Sequence, residues 1–163
     1  MFYKNKVVSL SKDLKMKTIA AGIFLVNKEN QILICHPTNH PSDVWSIPKG
    51  KIEKDEEPLD AAIRETYEET NIDLKEATSF TPLEMQTYSH KKKSLLGFLV
   101  LETENPKVDF DSFELKCNSN VPKARGGFPE MDDYAWVDIE IARDLLHPTQ
   151  VASLDKIEEL IEK

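Results

Sequence analysis

With 163 residues, 40% of them hydrophobic and 31% charged, the chain has the size and make-up of a single globular domain that buries a real core. A formal charge of −8 argues against non-specific binding to nucleic acid, which asks for a net basic face; a small anionic ligand remains open as a partner where cations are supplied locally. The longest apolar run, IAAGIFLV, is too short to span a bilayer, the N-terminal MFYKNKVVSLSKDLKMK lacks the apolar stretch and cleavage site of a secretory signal, and Cys35 and Cys117 stand in no metal-ligand spacing, so the expectation is a cytoplasmic protein with two reduced thiols and no membrane partner.

Along the chain, TIAAGIFLV (18 to 26) and QILICH (31 to 36) read as strands, joined into a hairpin by the polar turn NKEN. Past Trp45, SIPKGKIE is a proline and glycine break. PLDAAIRETYEET (58 to 70) reads as a helix: Pro58 suits its first position, where an N–H would be unpaired anyway, and Asp60 complements the dipole. Asn71 suits the left-handed conformation that closes a helix. LEMQTYSH and SLLGFLVLET read as a second strand pair across KKK. From NPKVDF to ARGGFPEMDD the periodicity vanishes, which predicts a long functional loop. YAWVDI reads as a short strand, and IEIARDLL and PTQVASLDKIEELIEK as closing helices. No repeat, linker or boundary divides residues 1 to 163.

The helix at 58 to 70 poses the chemical question. By 3.6-residue spacing Leu59, Ala62, Ile63, Thr66, Tyr67 and Thr70 share one side, and Glu65, Glu68 and Glu69 the other. A solvated acidic face is the plain reading, since exposed like charges one turn apart cost only a few tenths of a kcal/mol. Three carboxylates at i, i+3 and i+4 are also the hard oxygen ligands that Mg²⁺ or Mn²⁺ prefers, and a divalent cation would turn their repulsion into coordination.

Written out, the stretch is Gly50, five residues, Glu56, seven residues, Arg64-Glu65, two residues, Glu68-Glu69, one residue, Asn71, Ile72. This resembles the Nudix box, the signature of the Nudix hydrolase superfamily, at every charged position. Thr66 stands where an aliphatic residue is usual and Asn71 where glycine is usual. The likeness runs over roughly residues 17 to 146, and residues 1 to 16 are an extension without counterpart. It implies an α/β/α sandwich around a mixed β-sheet, and a metal-dependent pyrophosphohydrolase acting on a nucleoside diphosphate linked to another group, with Mg²⁺ or Mn²⁺ as cofactor and a small nucleotide or polyphosphate as substrate. Dimerisation, common among such relatives, has no marker in this sequence.

The resemblance also assigns roles. Gly50, Glu65, Glu68 and Glu69 are the expected metal site, Gly50 through its carbonyl at a tight turn. Glu56 and Arg64 form an ion pair that pins loop to helix, and Arg64 is also a candidate for the substrate phosphates. Glu65 and Glu69 are both candidates for the general base. A further carboxylate is expected from a loop ahead of Trp136; Glu130 is the first choice and Glu114 the second, with Asp132 and Asp133 assigned to turn or capping duty. WSIPKG resembles the branch that handles dinucleoside polyphosphates and diphosphoinositol polyphosphates, which makes Lys49 a phosphate ligand and diadenosine tetraphosphate the first substrate. ADP-ribose, nucleotide sugars and nucleoside triphosphates stay open, as does a non-catalytic sensor. Lys91, Lys92 and Lys93 are either a charged hairpin tip or a catch for a long phosphate chain. His36, His40 and His90 read as structural or solvated, and Trp45, Tyr88 and Phe128 as core or as base-stacking platforms.

Overall fold

The computed structural model describes residues 18–89 and 92–162, so the extension at 1–16, His90 and Lys91 lie outside the described residues. The sheet is built on β1 (Thr18–Val26) and β6 (Lys93–Leu101), which pair parallel over their whole length, from Thr18 opposite Lys93 to Val26 opposite Leu101. Both are near-continuous apolar runs, as strands covered on two faces must be. β2 (Gln31–Pro37) follows β1, and β7 (Met131–Asp138) pairs antiparallel with β2 at the sheet edge. The order is β4-β6-β1-β2-β7, with β4 (Thr81–Pro82) and β5 (Gln86–Thr87) both on β6, and β3 (Lys49–Lys51) on β1.

Helix α1 (Pro58–Thr70) covers one face, where Ala61 and Ala62 pack with Ile23, Leu33, Phe98 and Phe110. The other face carries α2 (Ile139–Leu145), α3 (Pro148–Val151) and α4 (Leu154–Ile161), whose Ala142, Leu154 and Ile157 pack on Phe24, Ile34 and Leu99. This is the α/β/α sandwich the resemblance implies. Among the described residues no helix is long and apolar enough to cross a membrane.

Four local expectations change. The expected hairpin of β1 and β2 holds only near its turn, where Asn27 donates to the Gln31 carbonyl and Val26 faces Ile32. Beyond that rung the strands part: β3 takes the first half of β1, while β2 exchanges hydrogen bonds between Cys35 and Ser46. Gly22 permits the first pairing, because a Cβ there would lie 2.7 Å from both the Pro48 carbonyl oxygen and the Lys49 Cβ. Of the partner strand read at 83 to 90 only β5 is strand, with β4 just ahead of it; between them the buried Leu83 still donates its N–H to the Gly97 carbonyl of β6 at 2.9 Å. The last helix breaks at Ala152–Ser153 into α3 and α4. The aperiodic region before β7 is ordered by short 3-10 turns, Glu102–Glu104, Phe110–Ser112 and Lys123–Arg125.

Candidate functional site

The glutamate helix does not carry its charge outward. Tyr67, placed by periodicity on the packed side, is 45% exposed, while Glu69 is only 3% exposed. The buried arc runs through Ala61, Ala62, Thr66 and Glu69, so the helix turns Glu65 and Glu69 toward β3 at the sheet's end. There the Lys49 N–H donates to Glu69 Oε1 at 3.1 Å. Gly50 lies in extended strand facing Ala21, not in a tight turn, and its glycine serves space instead: a Cβ would overlap the Glu65 carboxylate.

Arg64 holds the charges in place. Its guanidinium grips Glu56 with two bonds, Nε to Oε2 at 2.8 Å and Nη2 to Oε1 at 3.0 Å, the bidentate fork that carboxylates accept best. Nη1 donates to Glu65 at 2.9 Å and to both Glu68 oxygens at 3.2 Å, and Nη2 to the Lys51 carbonyl at 3.1 Å. The Glu56–Arg64 pin is present as expected. All of the Arg64 donors face protein oxygens in this arrangement. Arg64 draws the Glu56 carboxyl below its ordinary range. Glu65 and Glu69 move the other way: burial raises both, with Glu68 adding at Glu65, where Arg64 opposes it, and Glu65 adding at Glu69.

The opposite wall is a flap. Val121 N–H donates to the Phe128 carbonyl at 2.8 Å, Glu130 N–H to the Ser119 carbonyl at 3.2 Å, and Asn120 bridges Pro129. The turn closes through Gly126 and Gly127, both at positive φ, and the Phe128 ring packs where a Gly126 Cβ would be. Phe128 and Glu130 flank Pro129, the residue paired with Asn120. With Thr38, Lys49, Gly50 and Glu69 they line a cleft of about 460 Å³. The Glu130 charge raises the proton affinity of both Glu65 and Glu69, so the flap brings a carboxylate to the helix glutamates. Glu114 is not among them: its side chain is 79% exposed beside Lys116.

Lys93 Nζ lies 5.0 Å from the centre of the Tyr88 ring, which is 4.8 Å from that of His147. Burial lowers the His147 pKa, and the charges of Lys49 and Lys93 lower it further, so both lysines act on this one neighbourhood. His147 escaped the sequence reading because its position ahead of α3 had no motif; Tyr134 and Asn118, which bind the end of α1, escaped it too, although Asn71 in place of glycine was a signal that something else fixes that turn.

His36, read as structural or solvated, is clamped: Nδ1 meets Asp132 at 2.6 Å and Nε2 the Pro41 carbonyl at 3.0 Å. Two acceptors favour the imidazolium, and the Asp132 hydrogen bond leads the causes that raise its pKa above 6.5. A raised folded-state pKa contributes stability that is full below 6.5 and lost as pH rises through the folded value. Denaturant titrations at pH 6 and pH 8.5 are expected to show a smaller loss of stability for His36→Gln than for the wild type; equal losses would remove the clamp from the balance.

All-oxygen ligands suit a hard divalent cation, and Glu65, Glu68 and Glu69 supply carboxylates whose mutual charge, with the burial of Glu69, calls for a positive partner. The missing side chain at Gly50 lets the Glu65 carboxylate lie directly against the β3 backbone. Among the described residues, no three His, Cys, Asp or Glu groups are already gathered for a metal, and Arg64 bonds to both Glu65 and Glu68. The residues therefore fit a cation in kind, with Arg64 as the group that shares their charge.

A family model described as NUDIX domain matches residues 16–157. The RNA pyrophosphohydrolase of Bartonella quintana (strain Toulouse) is 34% identical over 151 residues, covering 80% of this chain and 84% of its own. That of Pelagibacter ubique (strain HTCC1062) is 26% identical over 130 residues, covering 77% and 78%. A crystal structure of a C. elegans Ap4A hydrolase binary complex superposes with a TM-score of 0.63 at 23% identity, over 89% of this chain and 98% of the other, a likeness of fold.

Proposed function

The chain belongs to the NUDIX domain family, and we propose that it hydrolyses a phosphoanhydride bond in a polyphosphate attached to a nucleoside, with a dinucleoside polyphosphate such as diadenosine tetraphosphate as first substrate. The observation that carries this reading is the cleft whose lining brings together Lys49, Gly50, Glu69 and Glu130. Glu65, Glu68, Glu69 and the Gly50 carbonyl would hold Mg²⁺ or Mn²⁺, which, when bound, neutralises phosphate charge and makes phosphorus more electrophilic. The residues of the chain do the rest. Lys49 holds a phosphate as a point charge. Glu130, on a flap wall opposite the helix, accepts the proton of the attacking water as its oxygen bonds to phosphorus and the bridging P–O bond breaks; Glu65 and Glu69 are the alternative bases.

Support for a long phosphate chain comes from Lys93, which lies with Tyr88 and His147 near Lys49. A second reading, a 5′-polyphosphorylated RNA end, is favoured by the relatives named RNA pyrophosphohydrolase. Both substrates present a nucleoside 5′-polyphosphate, and product masses tell them apart. The test is a purified-protein assay over diadenosine tetraphosphate, triphosphorylated RNA, ADP-ribose, nucleotide sugars and nucleoside triphosphates, with and without Mg²⁺ or Mn²⁺. Cation-dependent cleavage that favours the tetraphosphate supports the proposal, and cation-independent activity or none at all rejects it.

Lys49→Ala should raise the Michaelis constant more for the tetraphosphate than for ADP-ribose, because only the longer chain passes from the diphosphate site to Lys93. Loss of one charge-assisted phosphate bond is worth about 1.5–3 kcal/mol, roughly ten- to a hundredfold in binding. An equal rise for both substrates would confine Lys49 to the common diphosphate.

A further inference from the structure

The last turn of an α-helix leaves four carbonyls without helical partners. In α1 all four are taken, and mostly by one segment. Asn71 N–H donates to the Tyr67 carbonyl at 2.9 Å, Asn118 N–H to Glu68 at 2.6 Å, the Tyr134 hydroxyl to Glu69 at 2.5 Å and Lys116 N–H to Thr70 at 3.3 Å. Asn118 adds its side chain, Nδ2 reaching the Tyr67 carbonyl at 3.1 Å and Asn71 Oδ1 at 2.9 Å. Asn71 in turn donates from Nδ2 to the Glu114 carbonyl at 2.9 Å. Asn71 holds φ 70, which glycine would adopt at less cost, so its amide is what it brings to this position.

The same segment also holds the flap. Ser119, next to Asn118, accepts the Glu130 N–H at 3.2 Å. Two consecutive residues thus fasten the backbone of the glutamate helix and the backbone that bears Glu130. We propose that Asn118 and Ser119 form a positioning strap that sets Glu130 against Glu65 and Glu69, with Asn71 as its anchor on the helix. This deepens the hydrolase reading and rests on it for the role of the carboxylates.

The donor role of Asn118 makes the order of variants specific. Asn118 Nδ2 faces two oxygens, so Asn118→Ala removes bonds, whereas Asn118→Asp turns a carboxylate toward two acceptors and the negative end of a helix. In the full chain, both variants are expected to speed amide hydrogen exchange at 67–70 and also at Glu130, Asp more than Ala. Turnover of diadenosine tetraphosphate should fall about tenfold for Asn118→Ala with the Michaelis constant within about twofold, as misplacement of reacting groups does. Asn71→Gly, which removes one anchor and eases the backbone, should move the same readings less. Faster exchange at 67–70 with Glu130 and turnover per folded molecule unchanged would reduce Asn118 to a local cap and overturn the proposal. A wild type that cleaves no phosphoanhydride would sink the hydrolase reading alone, since exchange at Glu130 still reports the strap.

Discussion

Glu69→Gln is expected to lower turnover by about 10²-fold or more and to leave the protein at least as stable as the wild type. The two halves of this expectation have one cause. Glu69 is a carboxylate buried beside Glu65 and near Glu130, and burial and like charge both oppose its ionisation. The amide keeps the shape of the side chain and an oxygen for the Lys49 N–H, and it removes the buried charge. What is lost is a ligand for the cation and a candidate base. Steady-state rates at saturating Mg²⁺ beside thermal melts check both halves. Undiminished turnover removes Glu69 from the chemistry, and a large drop in melting temperature shows that its charge serves the fold instead.

Glu130→Gln should cost a comparable factor, about 10²-fold in turnover, while Glu114→Gln stays near wild type. Both acids come from the aperiodic region, but only one reaches the cleft. The flap rungs at Val121–Phe128 and Ser119–Glu130 aim Glu130 inward beside Phe128, whereas Glu114 lies on the outer side next to Lys116. Rates against pH for the two variants separate base from ligand: removal of a base abolishes the acidic limb of the profile, and removal of a ligand lowers the plateau and raises the Mn²⁺ requirement. A near-normal Glu130→Gln would take the flap out of the mechanism.

What the sequence could disclose follows from the range of the interactions involved. Helix α1, its Pro58 start and its Asn71 end depend on neighbours within one or two turns, and they were legible. So were the long strands β1 and β6, whose apolar runs are their own signal. Strand β3 was not, because three residues carry no period and Lys49–Lys51 are extended only through β1. The orientation of α1 was half legible. Spacing separates two sides, but the aromatic Tyr67 was taken as packed, and the burial of Glu69 depends on β3, which had not been recognised. In the same way the 119–130 flap and Asn118 work through partners some 10 to 50 residues away, beyond what local pattern can encode.

The grip of Arg64 on Glu56, Glu65 and Glu68 bears on how a divalent cation would enter the proposed site. Because a guanidinium already balances part of the acidic cluster, the chain is expected to fold in a chelator, with cation loading as a separate equilibrium after folding. An arriving ion would have to compete for oxygens that Arg64 holds at 2.9 to 3.2 Å, so the threshold of free cation would be set by an internal rival as well as by the ligands. Under the proposed function, the residue at position 64 would be a dial for metal demand.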